Sequence, residues 1–185
     1  MKCALITAGG CGTRLYPLST KDCPKQFVKM FGEKTLIQLT FERISKFIDK
    51  ENIFIVLPEK YHHFINELLP EVDETNIIIE PEQRSTAPCV LYSCLYIKKL
   101  RGNCTLGIFP ADHYIDGDEL FVKDLNDAYN YVSKNNSIVL FGIKPTDALD
   151  RYGYLKCGKS NKLITNIVEF KEKPDKETAI EYFNS

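Results

Sequence analysis

Short apolar runs alternate with amphipathic segments from the N-terminus to Pro145. The runs are rich in β-branched residues and end at glycine or proline, which predicts buried strands. The longer segments repeat apolar residues at helical spacing, which predicts helices with one buried face. Such alternation indicates a parallel sheet with helices on both faces and right-handed crossovers. The predicted strands are Cys3–Thr7, Ile53–Leu57, Asn76–Glu80, Thr105–Phe109 and Ile138–Ile143, and the predicted helices are Glu59–Leu69, Thr86–Leu100, Asp118–Lys134 and one capped by Thr35 that buries Leu36, Ile37, Phe41, Ile44, Phe47 and Ile48.

The pattern changes beyond Pro145. Tyr152–Cys157 and Leu163–Phe170 are each predicted as a strand, and the polar residues between them predict a turn. Asp175–Phe183 is predicted as a last helix. No linker or repeat divides the chain, so we expect a single domain over residues 1–185.

The composition is that of an ordinary globular protein, with 44% hydrophobic and 26% charged residues among 185. The net charge of −1 argues against a broad basic surface for nucleic acid. No signal peptide or membrane-spanning run is apparent, so we expect a cytoplasmic protein that does not act at a membrane. The seven cysteines include no Cys-x-x-Cys pair, which favours free thiols in a reducing compartment.

A glycine-rich loop, Ala8-Gly9-Gly10-Cys11-Gly12-Thr13-Arg14, follows the first predicted strand. Glycines at this point let the backbone approach a ligand and direct its amides at an anion. From Arg14 to Lys34, five positive and two negative side chains give a local charge of +3. These features favour a phosphate site, although a tight turn with a solvated basic flank would show the same letters. Leu15 occupies the third glycine position of the dinucleotide fingerprint, which argues against a nicotinamide cofactor.

A second phosphate-loop pattern, G-x-x-x-x-G-K-[ST], occurs at Gly153–Ser160. That mechanism needs the last residues of the pattern to open a helix. The residues that follow instead predict a turn and a strand, so a hairpin is the better interpretation.

The glycine loop extended to Ser19, followed by Pro24-Lys25-Gln26-Phe27, resembles the signature of the sugar-phosphate nucleotidyltransferases, and among them the mannose-1-phosphate guanylyltransferases. The resemblance covers essentially the whole chain. It implies a Rossmann-like, three-layer αβα fold of the GT-A-like nucleotidyltransferase type with a mostly parallel central sheet, of which we expect the chain to lack the C-terminal end. The further matching segments are Glu80-Pro81, Arg84-Ser85-Thr86-Ala87-Pro88, Pro110-Ala111-Asp112-His113, Gly142-Ile143-Lys144-Pro145-Thr146, Tyr152-Gly153-Tyr154 and Glu172-Lys173-Pro174.

The same resemblance implies transfer of GMP from GTP to mannose 1-phosphate, giving GDP-mannose and pyrophosphate with Mg²⁺ as cofactor. Attacker and target are both anions, so charge neutralisation and positioning supply most of the catalysis. The implied catalytic residues are Arg14 on the leaving phosphates, Lys25 at the α-phosphate and Asp112, which would hold the metal. The expected partners are therefore GTP and a sugar 1-phosphate, and a homodimer is left open.

The resemblance also assigns binding residues. For the nucleotide they are Gly9, Gly10, Gly12, Thr13, Glu80, Arg84, Ser85, Thr86 and Ala87, and for the sugar phosphate they are Gly153, Glu172 and Lys173.

Several positions depart from the family pattern. Cys11 stands where serine is usual, Tyr16 where tryptophan is usual, and Ser85 where asparagine is usual, and the last bears on guanine selectivity because a hydroxyl offers fewer hydrogen bonds than an amide. Family members also continue into an Asn-Ser-Gly segment and a later acidic metal ligand. Two alternatives stay open: a catalytically silent nucleotide-binding or regulatory domain of the same fold, and a nucleotidyltransferase for another sugar 1-phosphate or nucleotide.

Overall fold

The computed structural model describes residues 1–10, 15–158 and 164–184. They form two compact units, Met1–Asn135 and Asn136–Ser185. Across these described ranges, no helix combines the length and apolar content that a bilayer crossing needs.

Strands and helices alternate throughout the first unit. The strands are β1 (Lys2–Thr7), β2 (Ile53–Pro58), β3 (Ile77–Glu80) and β4 (Thr105–Pro110), and the helices are α1 (Leu36–Ser45), α2 (His62–Leu68), α3 (Thr86–Arg101) and α4 (Asp118–Lys134). The strands form one sheet in the order β3-β2-β1-β4, and every pairing is parallel. The predicted parallel sheet is therefore confirmed, and the predicted elements of this unit lie within a few residues of the observed ones.

Helices cover both faces of this sheet. Because successive side chains of a strand point to opposite faces, each strand contributes to two cores. On one face, Ile6 and Ile55 belong to a core that includes side chains from α1, α2 and α4. On the other face, Leu5 and Phe54 pack with Ile97 of α3. The unit is thus a three-layer αβα structure, as the sequence predicts.

Local sequence signals explain where the helices begin. The Thr35 hydroxyl accepts a hydrogen bond from the amide of Gln38, whose side chain accepts one from the Thr35 amide, so α1 starts at a capping box. Glu59–Tyr61 forms a separate 3₁₀ turn, so α2 begins three residues later than predicted.

Asp118 joins the start of α4 to α1. Its carboxylate accepts hydrogen bonds from Lys46 Nζ at 2.6 Å and from Arg43 Nε at 2.8 Å, and the Arg43 side chain is only 5% exposed. The hydrogen bond from Lys46, followed by the contribution of Arg43, lowers the pKa of Asp118 below its ordinary value. These two contacts therefore hold α1 against the first turn of α4.

Gly107 lets α4 approach the sheet closely. A Cβ at this position would lie 2.3 Å from the hydroxyl oxygen of Tyr129. That buried hydroxyl donates to the carbonyl of Cys3 at 2.6 Å, and burial raises the pKa of Tyr129. The glycine is therefore required by packing, because any larger side chain would displace the tyrosine.

The predicted strand at Ile138–Ile143 is wrong. These residues form no strand, and Ile138 and Ile143 are 89% and 86% exposed. An apolar, β-branched run becomes a strand only when a neighbouring strand completes its hydrogen bonds. None of the six described strands pairs with this segment, so its composition alone does not make it a strand.

The second unit contains an antiparallel pair and a helix: β5 (Gly153–Cys157), β6 (Ile167–Glu172) and α5 (Lys176–Asn184). The predicted pair of strands is confirmed, with β6 starting later than expected. Gly153, the first glycine of the second phosphate-loop pattern, lies within a strand, while Lys159 and Ser160 lie outside the described residues. The Asp175 carboxylate accepts from the amide of Thr178 at 2.9 Å and so caps α5.

Candidate active site

The sequence-predicted nucleotide site lies at one edge of the parallel sheet. The chain runs from β1 to β2 to β3 in one direction and then returns to place β4 on the other side of β1. In open parallel sheets, ligands bind at the carboxyl edge where the strand order reverses in this way. Gly9 and Gly10 follow β1 and Asp112 follows β4, so these residues lie at this reversal point, and Glu80 ends β3 at the same edge.

The described part of the glycine loop leaves space for a ligand. A Cβ on Gly10 would meet no atom of the described residues within 4 Å, and a Cβ on Gly9 would lie 3.4 Å from Glu80 Oε2. Neither glycine has a positive φ. Their backbone conformation therefore does not require glycine, and the open space beside Gly10 fits the close approach of a ligand. The other predicted loop residues, Gly12, Thr13 and Arg14, lie outside the described residues.

Lys25 and Asp112 meet in a direct ion pair between Nζ and Oδ2. Lys25 begins a 3₁₀ turn, Lys25–Phe27, and Asp112 follows the end of β4. Their side chains are 33% and 25% exposed, so both remain accessible from solvent. The structure thus brings together two residues 87 positions apart that the sequence assigned separately, one to the α-phosphate and one to the metal.

Two glutamines hold the backbone around Gly9, and sequence reasoning assigned neither of them a role. The Gln26 amide donates to the carbonyls of Ala8 and Gly10 at 2.7 and 2.9 Å. The Gln83 amide donates to the carbonyl of Gly9. The only sequence signal for Gln26 was its place in the family segment, because a neutral amide next to a phenylalanine does not by itself indicate a functional role.

Glu80 is nearly buried, with 9% of its surface exposed. Its carboxylate lies beside Gly9 and is hydrogen-bonded to the thiol of Cys89 in α3. Burial, and after it the nearby Glu80 charge, raises the pKa of Cys89 to about 11, so this thiol stays protonated at neutral pH. Glu80 therefore places a carboxylate at the wall of the glycine loop.

The remaining predicted nucleotide residues are exposed and lead into α3. Arg84 forms an ion pair with the neighbouring Glu82, with Nη2 and Oε2 2.7 Å apart. Ser85 has φ 75° and ψ 177°, a conformation almost restricted to glycine, and its side chain does not cap α3. Thr86 and Ala87 form the exposed first turn of that helix.

The three predicted sugar-phosphate residues lie together in the second unit. Gly153 and Glu172 are register partners across β5 and β6. A Cβ on Gly153 would lie 2.9 Å from Glu172 Oε2, so glycine leaves room for that carboxylate. Lys173 has φ 45°, and its Nζ lies 3.4 Å from Glu172 Oε1. A carboxylate and an ammonium group are therefore adjacent at the end of this hairpin.

The described residues fit a nucleotide-bound magnesium ion better than a protein-held metal. Within the ranges the structure describes, no group of three or more histidine, cysteine, aspartate or glutamate side chains is arranged to hold a metal. Mg²⁺ at nucleotide sites takes one or two carboxylates and completes its shell with phosphate oxygens and water. The accessible carboxylate of Asp112 meets that requirement.

The chain is similar in sequence to bacterial proteins that carry a name. Mannose-1-phosphate guanylyltransferase RfbM of Salmonella typhimurium is 36% identical over 98% of this chain, and the alginate biosynthesis protein AlgA of Pseudomonas fluorescens is 35% identical over 98%. The chain spans 38% of the length of each of these relatives.

Two solved structures share the fold of this chain. A structure from Thermus thermophilus, described as a mannose-1-phosphate geranyltransferase, matches with a TM-score of 0.88 and 31% identity over 99% of this chain and 53% of its own. A putative glucose-1-phosphate thymidylyltransferase from Bacillus anthracis, covering 94% of this chain and 65% of its own, shares the fold at a TM-score of 0.65 with 19% identity. The family model described as nucleotidyl transferase matches residues 3–185. This chain therefore belongs to the nucleotidyl transferase family.

Proposed function

We propose that the chain forms the nucleotide-binding part of an enzyme that transfers GMP from GTP to mannose 1-phosphate, releasing pyrophosphate and GDP-mannose. The observation that carries the proposal is the contact of Lys25 with Asp112, at the same sheet edge as the open space at Gly10. One cationic and one anionic group at the reversal point of the sheet are what a triphosphate and its metal ion need. The match of the family model to residues 3–185 supports treating the chain as part of a single nucleotidyltransferase domain.

Lys25 serves the transferred phosphoryl group in this proposal. An oxygen of the sugar phosphate attacks the α-phosphorus in line, the bond from the α-phosphorus to the bridging oxygen breaks, and the departing pyrophosphate takes up the negative charge, while the α-phosphate oxygens stay charged throughout. In this proposal the ammonium group of Lys25 neutralises the charge of the α-phosphate oxygens, and the amides of Gly9 and Gly10 hold neighbouring phosphate oxygens. Arg14, Gly12 and Thr13 complete the phosphate site, with Arg14 paired to the leaving β- and γ-phosphates.

Asp112 serves the metal ion. Mg²⁺ supplies Lewis-acid neutralisation of the phosphate oxygens when it is bound. Asp112 would hold it with its carboxylate, and the ion pair with Lys25 keeps that carboxylate at the carboxyl edge of β4 before the nucleotide arrives. Lys25 then exchanges its carboxylate partner for the α-phosphate.

Glu80 serves the base. A carboxylate only accepts hydrogen bonds, and guanine presents two adjacent donors, N1–H and the 2-amino group. Adenine lacks that pair of donors, so a nearly buried Glu80 favours GTP over ATP. We assign Arg84, Ser85, Thr86 and Ala87 to the same side of the nucleotide, and their exposure at the start of α3 supports this assignment.

The hairpin of the second unit serves the sugar phosphate. Lys173 pairs with the phosphate. The Glu172 carboxylate accepts hydrogen bonds from sugar hydroxyls, and the backbone at Gly153 forms further hydrogen bonds with them. The adjacency of Glu172 and Lys173 supports this assignment, because a sugar 1-phosphate offers hydroxyl donors next to an anion.

Two measurements test the function on the expressed chain and on the full reading frame that encodes it. Calorimetry with GTP, ATP, UTP and dTTP in the presence of Mg²⁺ should show preferential GTP binding. Incubation of GTP with mannose 1-phosphate, glucose 1-phosphate and galactose 1-phosphate should give a nucleotide sugar with mannose 1-phosphate. Binding without turnover in both proteins would favour a silent regulatory domain, a different preferred pair would favour another nucleotidyltransferase, and no nucleotide binding at all would refute the proposal.

A further inference from the structure

Gln26 makes a polar contact with the backbone on both sides of Gly9. Its side chain is buried, with only 2% of the residue exposed. The Nε2 atom donates to the carbonyls of Ala8 and Gly10, which are 18 and 16 residues away in the chain. One side-chain amide thus spans Gly9 and binds the backbone on both sides of it.

This contact restrains the most mobile type of backbone. Glycines lose more conformational freedom on ordering than other residues, so two consecutive glycines hold a defined shape only with outside support. Because a peptide group is planar and trans, fixing the carbonyl of Ala8 also fixes the direction of the Gly9 N–H. Only a primary amide offers two donors at one nitrogen without a charge, and of the two amide side chains glutamine is the one with the longer reach.

We propose that Gln26 is a positioning residue that preorganises the Gly9–Gly10 backbone for the triphosphate and sets its distance from Lys25. The inference rests on the proposed nucleotide site. Lys25 and Gln26 are neighbours in the same turn, so one side chain is directed to Asp112 and the next to the glycine loop. Movement of the loop relative to Lys25 is thereby prevented, and both phosphate-binding elements act as one rigid piece.

The turn itself does not depend on Gln26 for its place in the fold. Phe27 is 5% exposed and stacks on Phe64 of α2, with ring centroids 4.4 Å apart. The Phe27 amide also donates to the carbonyl of Pro24 at 2.9 Å. A substitution at Gln26 should therefore release the glycine loop while the turn and Lys25 remain docked.

The test compares Gln26→Leu and Gln26→Glu with the control Gln38→Leu. Leucine removes both donors at similar volume, and glutamate sets carboxylate oxygens against the two carbonyls. Gln38 also donates to a distant backbone carbonyl, that of Leu68 at 2.9 Å, but it lies at the start of α1. All variants are measured for unfolding in urea, backbone order parameters of Gly9 and Gly10 from NMR relaxation, and affinity for GTP with Mg²⁺.

We expect both Gln26 variants to stay folded, to lower the backbone order parameters of Gly9 and Gly10, and to lose on the order of 100-fold in GTP affinity. Gln38→Leu should lower stability without changing the order parameters of the glycines or GTP affinity. Unchanged order parameters in Gln26→Leu would refute the inference even if the protein binds no nucleotide. Lower order parameters with unchanged GTP affinity would refute the positioning role, whereas absence of binding in the parent chain counts against the proposed function alone.

Discussion

The ion pair between Lys25 and Asp112 gives the sharpest prediction, because its effects on stability and on function differ widely. The variants are Lys25→Met and Asp112→Asn, which remove one charge each at similar size. With side chains 33% and 25% exposed, the pair is partly screened by solvent. Pairs of this kind contribute about 0.2–1 kcal/mol to the free energy of unfolding. Each variant should therefore unfold within about 4 °C of the parent chain.

The functional loss should be much larger. A group placed to neutralise phosphate charge stabilises the transition state by about 2.7–4 kcal/mol, which corresponds to about 10²–10³ in rate. Asp112→Asn should in addition abolish the Mg²⁺ dependence of GTP binding, because an amide oxygen carries no charge to hold the ion. Lys25→Met should weaken GTP binding and nearly abolish transfer.

Urea unfolding, calorimetry with GTP and Mg²⁺, and pyrophosphate release measure these quantities in the same preparations. Lys29→Met is the matched control, because Lys29 lies on the same segment and forms only a distant pair, 3.8 Å long, with the exposed Glu33. This variant should leave the free energy of unfolding nearly unchanged and should change the activity by less than about twofold. Normal transfer by Lys25→Met, or normal Mg²⁺-dependent GTP binding by Asp112→Asn, would refute the assignment.

Four further predictions concern other residues. Gly10→Ala should leave the free energy of unfolding unchanged or raise it by about 0.4–1 kcal/mol, because a Cβ there meets no atom of the described residues. The same change should weaken GTP binding measured by calorimetry. Gly107→Ala should lower the free energy of unfolding in urea by about 1–3 kcal/mol, because its Cβ would collide with Tyr129. Ser85→Gly should stabilise the protein by about 1 kcal/mol, because it relieves a positive φ, and a lower denaturation midpoint would contradict this. Asp118→Asn should cost about 1–2 kcal/mol at pH 7, because it leaves the buried Arg43 without its carboxylate. Since the pKa of Asp118 is lowered in the folded state, its contribution is present above the unfolded pKa near 4 and is lost as the pH falls below it, so parent and variant should converge in acid; a constant difference down to about pH 2.5 would count against the interaction.

Much of the fold was predictable because its signals are local. Strand runs such as Ile53–Leu57 and the capping residue Thr35 carry their information within a few residues, and the structure confirms both. The alternation of such elements was sufficient to predict a parallel sheet. Ile138–Ile143 failed for the opposite reason, since a strand needs a partner and composition does not reveal whether one is there.

The candidate site likewise has features that are local in the sequence and features that depend on contacts between distant segments. Glycines after a first strand and a basic segment suggested a phosphate, and family motifs suggested which residues bind it. Sequence spacing could not show that Lys25 touches Asp112 or that Gln26 bonds to both sides of Gly9, because such contacts depend on how distant segments pack.

The sequence by itself therefore determined most of the elements, the family and the types of chemical group at the site. Only the tertiary structure decided which of those groups meet. The strand order places β1 beside β4, so the glycine loop and Asp112 share one edge although they are about 100 residues apart. The physical reason is that secondary structure follows from short-range periodicity and capping, whereas a site at a parallel sheet is assembled by crossovers that bring remote strand ends together.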